Sequence, residues 1–357
     1  MASKSVFLVG PGFIGGEALH LLLQENYQVT TLVRSEGSAA SLHKLGVKTV
    51  KGTLDDKPII QKQVEASDIV FNTASSDHLP SVEAILDGIK ARANSGKPPT
   101  IYIHTSGASL IGDDSEGAYK SDVIYDDKKP EMIDALPDTA AHRKVDLAIV
   151  NTLPVLGAKA KLAIIIPPLV YGVSIRDNRL SIQLPTIVRH SLKHGYAGQI
   201  GQGRSVWNQI HVKDLARGYM ALLHWLERTP AEEVAASRPY FFCENGEELS
   251  WGECAAEIGK ILVKEGRLES PTPKTIPEEH YGDLFAEFSG LNLGSNSRSR
   301  ANRLRDIGWQ PKEKRTIQSL VEDEIPLILK ETGPFHGYAG LFHGYAVPVA
   351  SGENKQK

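Results

Sequence analysis

Over residues 5–110, short runs of apolar and β-branched residues alternate with stretches whose apolar positions recur every three or four residues. Residues 5–10 read as a strand, and residues 13–24 follow with Ile14, Ala18, Leu21 and Leu22 on one helical face. Residues 28–33 predict a second strand and 38–45 a short helix. Residues 47–51, 68–72 and 100–104 predict strands three to five, with 58–65 and 80–95 as the intervening helices. Strands separated by single helices specify a parallel sheet with right-handed crossovers, because such a connection packs back onto the sheet in only that hand.

Beyond this region the pattern changes. Residues 106–137 are rich in Gly, Asp, Ser and Lys and read as an excursion from the sheet. A helix is expected from a cap at Asp138 to about Leu156, with Val145, Ala148, Ile149, Thr152 and Leu153 on one face, before a sixth strand at 161–166. Residues 214–227 repeat Leu215, Tyr219, Leu222, Leu223 and Leu226 at helical spacing. Ser250 and Glu253 have the spacing of a capping box before another helix. The division expected is a dinucleotide-binding core at 1–170, a mainly substrate-binding lobe at 171–330 with returning core elements at about 206–245, and a tail at 331–357. That tail repeats FHGYA at 335–339 and 342–346, too few copies for a solenoid, and its closing SGENKQK is expected to be mobile.

Composition narrows the classes. With 357 residues, 41% hydrophobic and 23% charged, the chain is globular in character. A formal net charge of −3 gives no pull toward nucleic acid or an anionic membrane. Only Cys243 and Cys254 are present, so neither a disulfide scaffold nor a multi-cysteine zinc site is expected, and no metal is assigned. The most apolar long run, 162–173, is interrupted by Pro167 and Pro168, well short of the roughly 20 residues of a membrane span. No basic leader with a cleavage site is visible. The expectation is a cytoplasmic protein, monomeric or homodimeric, whose partner is a small-molecule substrate.

Gly10-Pro11-Gly12-Phe13-Ile14-Gly15 fits G-x-G-x-x-G between a strand and a helix. Gly10 permits the tight turn, Gly12 lets the backbone approach a pyrophosphate, and Gly15 lets the helix pack against the sheet. The helix N-terminus then offers free N–H groups and a positive dipole end to the phosphates. At the end of strand two an acidic side chain would accept from the ribose 2′-hydroxyl of NAD(H); this chain has Arg34-Ser35, a cation and a hydroxyl suited to a 2′-phosphate. NADP(H) is favoured over NAD(H).

On these residues the chain resembles the extended short-chain dehydrogenase/reductases, the epimerase/dehydratase-like superfamily. The resemblance spans about residues 5–330. It takes in the glycine loop, Gly52-Thr53-Leu54-Asp55, Asn72-Thr73-Ala74, His104-Thr105-Ser106, Pro167-Pro168-Leu169-Val170-Tyr171-Gly172, His211-Val212-Lys213-Asp214-Leu215-Ala216 and LRDIGWQP at 304–311. The glycine loop is one residue shorter than the usual extended form, marking an atypical member. The resemblance implies an α/β fold: a doubly wound parallel Rossmann sheet with a smaller, mixed C-terminal substrate lobe. It also implies Leu54 and Asp55 near the adenine, Thr73, Ala74 and Ser75 beneath the phosphates and ribose, and Pro167, Leu169 and Tyr171 beside the nicotinamide. His211 and Asp214 match structural positions of the family.

The resemblance further implies Tyr-x-x-x-Lys on the helix before strand six, where residues four apart share a face and the ammonium lowers the phenol's pKa. Two registers compete. Tyr125 to Lys129 spells the motif, but Pro130 follows at once in an acidic segment far from strand six. The better-placed register falls on Ala140-Ala141-His142-Arg143-Lys144, which retains Lys144 for the ribose and puts Ala140 at the tyrosine position. Proton transfer then falls to Tyr119 or Tyr125 from the excursion, or to His142. Ser106 is either a hydrogen-bond donor to a substrate carbonyl or an ST-turn ending strand five.

The leading functional expectation is an NADPH-dependent reductase of a small or medium organic molecule bearing a ketone, an activated C=C or a C=N bond. The alternatives are a nucleotide-sugar epimerase or dehydratase, which Ala140 disfavours, and a non-catalytic NADP-sensing protein. Tyr196, Trp207, Tyr281, Phe285 and Phe288 are either a hydrophobic substrate wall or lobe core.

Overall fold

The computed structural model describes residues 4–333 together with Phe335 and Gly337. The FHGYA repeats and the closing heptapeptide lie almost wholly outside the described residues. The alternating half folds as its periodicity predicts: β1 (Ser5–Val9), α1 (Phe13–Gln24), β2 (Gln28–Val33), α2 (Glu36–His43), β3 (Lys48–Lys51), α3 (Lys57–Glu65), β4 (Ile69–Asn72), α4 (Leu79–Asn94) and β5 (Thr100–Thr105). These strands join Ala160–Ile166 and Tyr240–Phe242 in one seven-stranded sheet. Its order is Tyr240–Phe242, Ala160–Ile166, β5, β4, β1, β2, β3, and every pairing is parallel.

The winding direction reverses between β1 and β4. In an open parallel sheet such a reversal leaves a crevice at the carboxyl ends of the strands, where ligands bind. The strands are nearly continuous runs of Val, Ile, Leu and Phe because helices cover both faces; Phe7, Leu8, Val70, Phe71, Ile103 and Ile164 are all fully buried. One covering layer pairs α1 with the amphipathic helix Val212–Arg228, clipped at its far end by Lys4 and Tyr27 on Glu227. The other brings α4 between α3 and the helix Arg143–Leu156.

The second lobe has its own core. A three-stranded sheet, Glu248–Ser250, Val206–His211 and Leu169–Tyr171, packs with helices Gln183–His194 and Trp251–Lys264 around Leu184, Trp207, Trp251, Ile258 and Phe285. The Ser250–Glu253 capping box is formed: the Ser250 hydroxyl accepts from Glu253 N at 3.1 Å and Glu253 accepts from Ser250 N at 2.7 Å. Among the described residues, no helix is long and apolar enough to cross a membrane.

The excursion at 106–137 is tied down by a two-residue strand, Tyr125–Asp126, paired in parallel with Ser299–Arg300, and by Asp127, which accepts from the backbone of Phe242 and Arg303 at 3.0 Å each. Its end differs from the sequence expectation. The helix begins at Arg143 rather than at Asp138, because the chain turns through 137–142 and His142 takes a left-handed conformation with φ 65°. A non-glycine residue in that region interrupts the helical repeat.

Candidate active site

The crevice is built first from backbone. Gly10 follows β1 at φ 95°, and a methyl group there would overlap Ala74, just past β4. On Gly15 a methyl would overlap the Gly10 carbonyl oxygen and the Thr73 hydroxyl, which donates to that same oxygen at 2.7 Å. Thr73 and Ala74 therefore brace the turn from beneath. Gly12 is different: a Cβ there would meet only Arg179 Nη1, at 3.6 Å. Phe13 and Ile14 open α1, whose N-terminus has no side-chain cap and no acid in its first turn, so its N–H groups and dipole remain available to an anion. Open space before Gly12, uncapped amides and a nearby cation fit a dinucleotide diphosphate.

A loop from the second lobe covers this turn. Arg176 Nη2 donates to the Pro11 carbonyl at 2.7 Å, and Ile175 N donates to the buried Glu17 carboxylate at 2.6 Å. This seats Arg179 opposite Gly12, with its guanidinium 3.1 Å from Asp177 and its Nε without a protein partner. Neither arginine was legible in the sequence, since a loop leaves no periodic signal.

Arg34 and Ser35 lie exposed at the end of β2, and the Ser35 hydroxyl accepts from Ser38 N as the N-cap of α2. Leu54 is half-buried, and the Asp55 carboxylate lies 3.2 Å from His78 Nε2. Ser75 accepts from Asp77 N at 3.1 Å. Pro167 is buried, and its carbonyl accepts from Ala108 N. Leu169 and Tyr171 are each 1% exposed and pack into the second core; the Tyr171 hydroxyl donates to the Lys314 carbonyl at 2.8 Å. His211 caps the helix Val212–Arg228, and Asp214 accepts from the backbone of Lys312 and Glu313, which are structural duties. Trp207 and Phe285 are core residues, while Tyr196, Tyr281 and Phe288 pack against that core.

The chemistry-bearing side chains converge on a cleft of about 520 Å³ lined by Asp77, Asp138, Thr139, Ala140, Ala141, His142, Lys144 and Val145. His142 Nδ1 lies 2.8 Å from Asp77 Oδ1, and its Nε2 faces the Cα of Gly107, next to Ser106. Burial opposes charge on this imidazole, but the hydrogen bond to Asp77 and that residue's charge prevail and raise its pKa. Lys144 is exposed on the rim. Ala140 precedes the first helical turn, so Ala140 and Lys144 do not share a helix face.

Behind the rim, the buried Ser106 hydroxyl donates to Asp146 Oδ2 at 2.8 Å. Burial pushes the Asp146 carboxyl up to about 7, with Ser106 and His142 pulling the other way. His104 Nε2 lies 3.9 Å from Asp146 Oδ1, and neither atom has a hydrogen-bond partner. Burial drives His104 down to about 3, so desolvation favours the neutral form of both groups. Sequence reasoning missed Asp77, His104 and Asp146. The last had a signal: an acid set between the apolar face positions Val145 and Ile149.

The two spare phenols stand elsewhere. Tyr125 lines a separate cavity of about 110 Å³ with Ile111, Asp113, Asn296 and Arg298, and burial raises its pKa. Tyr125 is in a strand and Pro130 opens the next helix, so Tyr125 and Lys129 do not face one another across a helical turn. Tyr119 is 49% exposed.

Comparison with known proteins bears on the fold. Residues 10–129 match the NAD(P)H-binding family model. The chain is 29% identical over 328 residues to oxidase ucsJ of an Acremonium species, covering 87% of this chain and 93% of that one. Among solved structures, it superposes on a UDP-glucose 4-epimerase from Thermotoga maritima with a TM-score of 0.64 at 14% identity, covering 91% of this chain and 100% of the other. A dTDP-glucose 4,6-dehydratase from Bacillus anthracis gives a TM-score of 0.65 at 15% identity, covering 92% and 98%. The chain thus has the Rossmann-type fold of these solved structures, and its residues 10–129 match an NAD(P)H-binding family.

Proposed function

We propose that this protein is an NADPH-dependent reductase acting on a small or medium organic molecule with a polarised C=O, C=N or activated C=C bond. The observation that carries this reading is a His142–Asp77 ion pair on the cleft wall with a buried Ser106–Asp146 hydrogen bond behind it. Among the described residues, the cleft lining holds no tyrosine, and in this reading these two pairs take over proton handling. Bound NADPH supplies the hydride.

The chain's own residues position the substrate and return a proton. In this reading His142 donates to the substrate heteroatom or carbanion as negative charge develops, with Ser106, next to the Gly107 that His142 Nε2 faces, as the second donor. Asp77 holds His142 protonated toward neutral pH, and Asp146, titrating near 7, can replace the proton that Ser106 gives up. Lys144 holds the nicotinamide ribose from the rim. Main-chain amides at Gly12, Phe13 and Ile14 hold the diphosphate, with Arg179 above them, and Arg34 with Ser35 reads the 2′-phosphate. Two buried free cysteines, Cys243 and Cys254, suit a reducing compartment such as the cytoplasm.

The test is NADPH consumption against a panel of ketones, enones and imines, with NADP⁺ and the corresponding alcohols and amines run in reverse. The reverse arm matters because the fungal relative is named an oxidase and hydride transfer can run either way. Turnover with any class, abolished jointly by Ser106→Ala and His142→Ala, supports the proposal. Selective NADPH binding with no turnover in either direction would instead support a dinucleotide sensor.

A further inference from the structure

The second lobe holds a cluster that the nucleotide crevice does not use. His190 and His194 sit four residues apart on the helix Gln183–His194, and the 3₁₀ turn Glu278–Asp283 lays His280 beside them. One ligating atom from each of the three lies within 4.8 Å of the others. The rings form a column, with centroids 4.4 Å apart for His190–His194 and 4.0 Å for His194–His280. His190 is fully buried, and neither of its ring nitrogens has a hydrogen-bond partner. A buried imidazole with both nitrogens idle is a polar group whose desolvation is not offset, and a ligand would offset it.

The surroundings are those of metal-ligating histidines. Asp283 Oδ2 lies 2.8 Å from His194 Nε2, and Lys193 holds the other Asp283 oxygen at 2.6 Å. A carboxylate there fixes the proton on Nε2 and leaves the Nδ1 lone pair free. The Tyr196 hydroxyl lies 3.3 Å from His280 Nδ1; in the tautomer where Nδ1–H donates to it, Nε2 of that ring is free to ligate. Each partly exposed imidazole thus has one nitrogen oriented from outside and one available, the arrangement that sets tautomer and basicity around a metal. Two described residues of the tail flank the cluster: the Phe335 ring lies 5.2 Å from the Arg189 guanidinium, and Gly337 packs on Gly282 and Asp283.

We propose that His190, His194 and His280 bind one divalent transition-metal cation of the zinc type, with Asp283 as the residue that orients His194. Three neutral imidazoles with no inner oxygen donor select zinc, cobalt, nickel or copper over magnesium or calcium. At metal–nitrogen bonds of about 2.0–2.1 Å the donors must close to roughly 3.4 Å from one another. Rotation of the half-buried His194 and His280 rings supplies that movement. The ion ties the helix to the 278–283 turn and with it stiffens one wall of the substrate lobe. This departs from the sequence expectation of no metal, because His280 lies far along the chain from His190 and His194, which alone stand at a readable spacing.

The experiment uses full-length protein without a polyhistidine tag, stripped with chelator and titrated with Zn²⁺ against a chromophoric competitor, and with Co²⁺ read by visible absorption. One equivalent of Zn²⁺, an intense tetrahedral Co²⁺ spectrum and a Tm raised by Zn²⁺ are expected. His194→Ala/His280→Ala should abolish uptake, and Asp283→Asn should weaken it about 10–100-fold. Because removing two packed rings can unfold the lobe, His280→Gln is the second variant, checked by circular dichroism and NADPH binding. Substoichiometric uptake by the wild type, or one equivalent retained by a folded His280→Gln or double variant with an unchanged Co²⁺ spectrum, overturns the proposal.

Discussion

The Ser106 hydroxyl donates to Asp146 Oδ2 at 2.8 Å inside the protein, and Asp146 titrates near 7. A carboxyl whose folded pKa exceeds its unfolded value, here 3.8, contributes stability that is fully present below about pH 3.8 and lost as pH rises to about 7. Asp146→Asn removes that loss. The stability of the variant relative to wild type should therefore rise between about pH 4 and 7 and level off above, read by urea unfolding across pH. The rate of the proposed reaction should fall at least about 100-fold, the scale of one positioned proton donor.

Asp77 and His142 are the second test. Their pairing raises the histidine and lowers the aspartate. Asp77→Asn should move the His142 titration to lower pH, followed by the ring proton signal in NMR. Stability from a raised histidine is complete below its unfolded value and lost as pH rises through its folded one. Stability from a lowered aspartate is present above its unfolded value and lost as pH falls through its folded one. The variant should therefore lose most between the two ordinary values, about 3.8 and 6.5. The alkaline limb of the proposed activity should shift downward with the titration.

How much of this was readable follows from chain distance. β1, the glycine turn and α1 follow one another directly, and their signals are local: an apolar run, three glycines, a helical repeat. The helix Arg143–Leu156 was visible through Val145 and Ile149 but not its start, which a left-handed His142 sets and which has no periodic signature. The site is less legible still. Asp77 and His142 are 65 positions apart and Ser106 and Asp146 are 40 apart, so only the folded sheet brings them together. Arg176 reaches Pro11 across 165 positions, from a loop without pattern.

The three glycines of the turn should separate by role. Gly10→Ala and Gly15→Ala each place a methyl against fixed backbone, and Gly10 also has φ 95°, so each should cost about 1–3 kcal/mol of stability without any ligand present. Gly12→Ala meets only the end of Arg179 and should leave the unfolding free energy within about 0.5 kcal/mol of wild type. Its dinucleotide affinity should nevertheless fall more than about tenfold, because in the proposed reading the new methyl stands where the diphosphate approaches. Calorimetric binding beside denaturant melts distinguishes the two behaviours; equal destabilisation by all three would refute the assignment of Gly12 to ligand contact.

Arg34 and Arg179 should discriminate differently between the dinucleotides. In the proposed reading Arg34, exposed after β2, meets the 2′-phosphate carried only by the phosphorylated dinucleotide. Charge-assisted hydrogen bonds are worth about 1.5–3 kcal/mol, so Arg34→Ala should weaken NADPH roughly 10–100-fold and leave NADH nearly unchanged. Arg179 stands over Gly12, where in the proposed reading the diphosphate common to both dinucleotides is held. Arg179→Ala should weaken both by a similar factor and preserve their ratio. Fluorescence titrations with the two reduced dinucleotides measure all four affinities. If Arg34→Ala weakens both equally, the 2′-phosphate lies elsewhere, and if Arg179→Ala weakens neither, the covering loop does not touch the diphosphate.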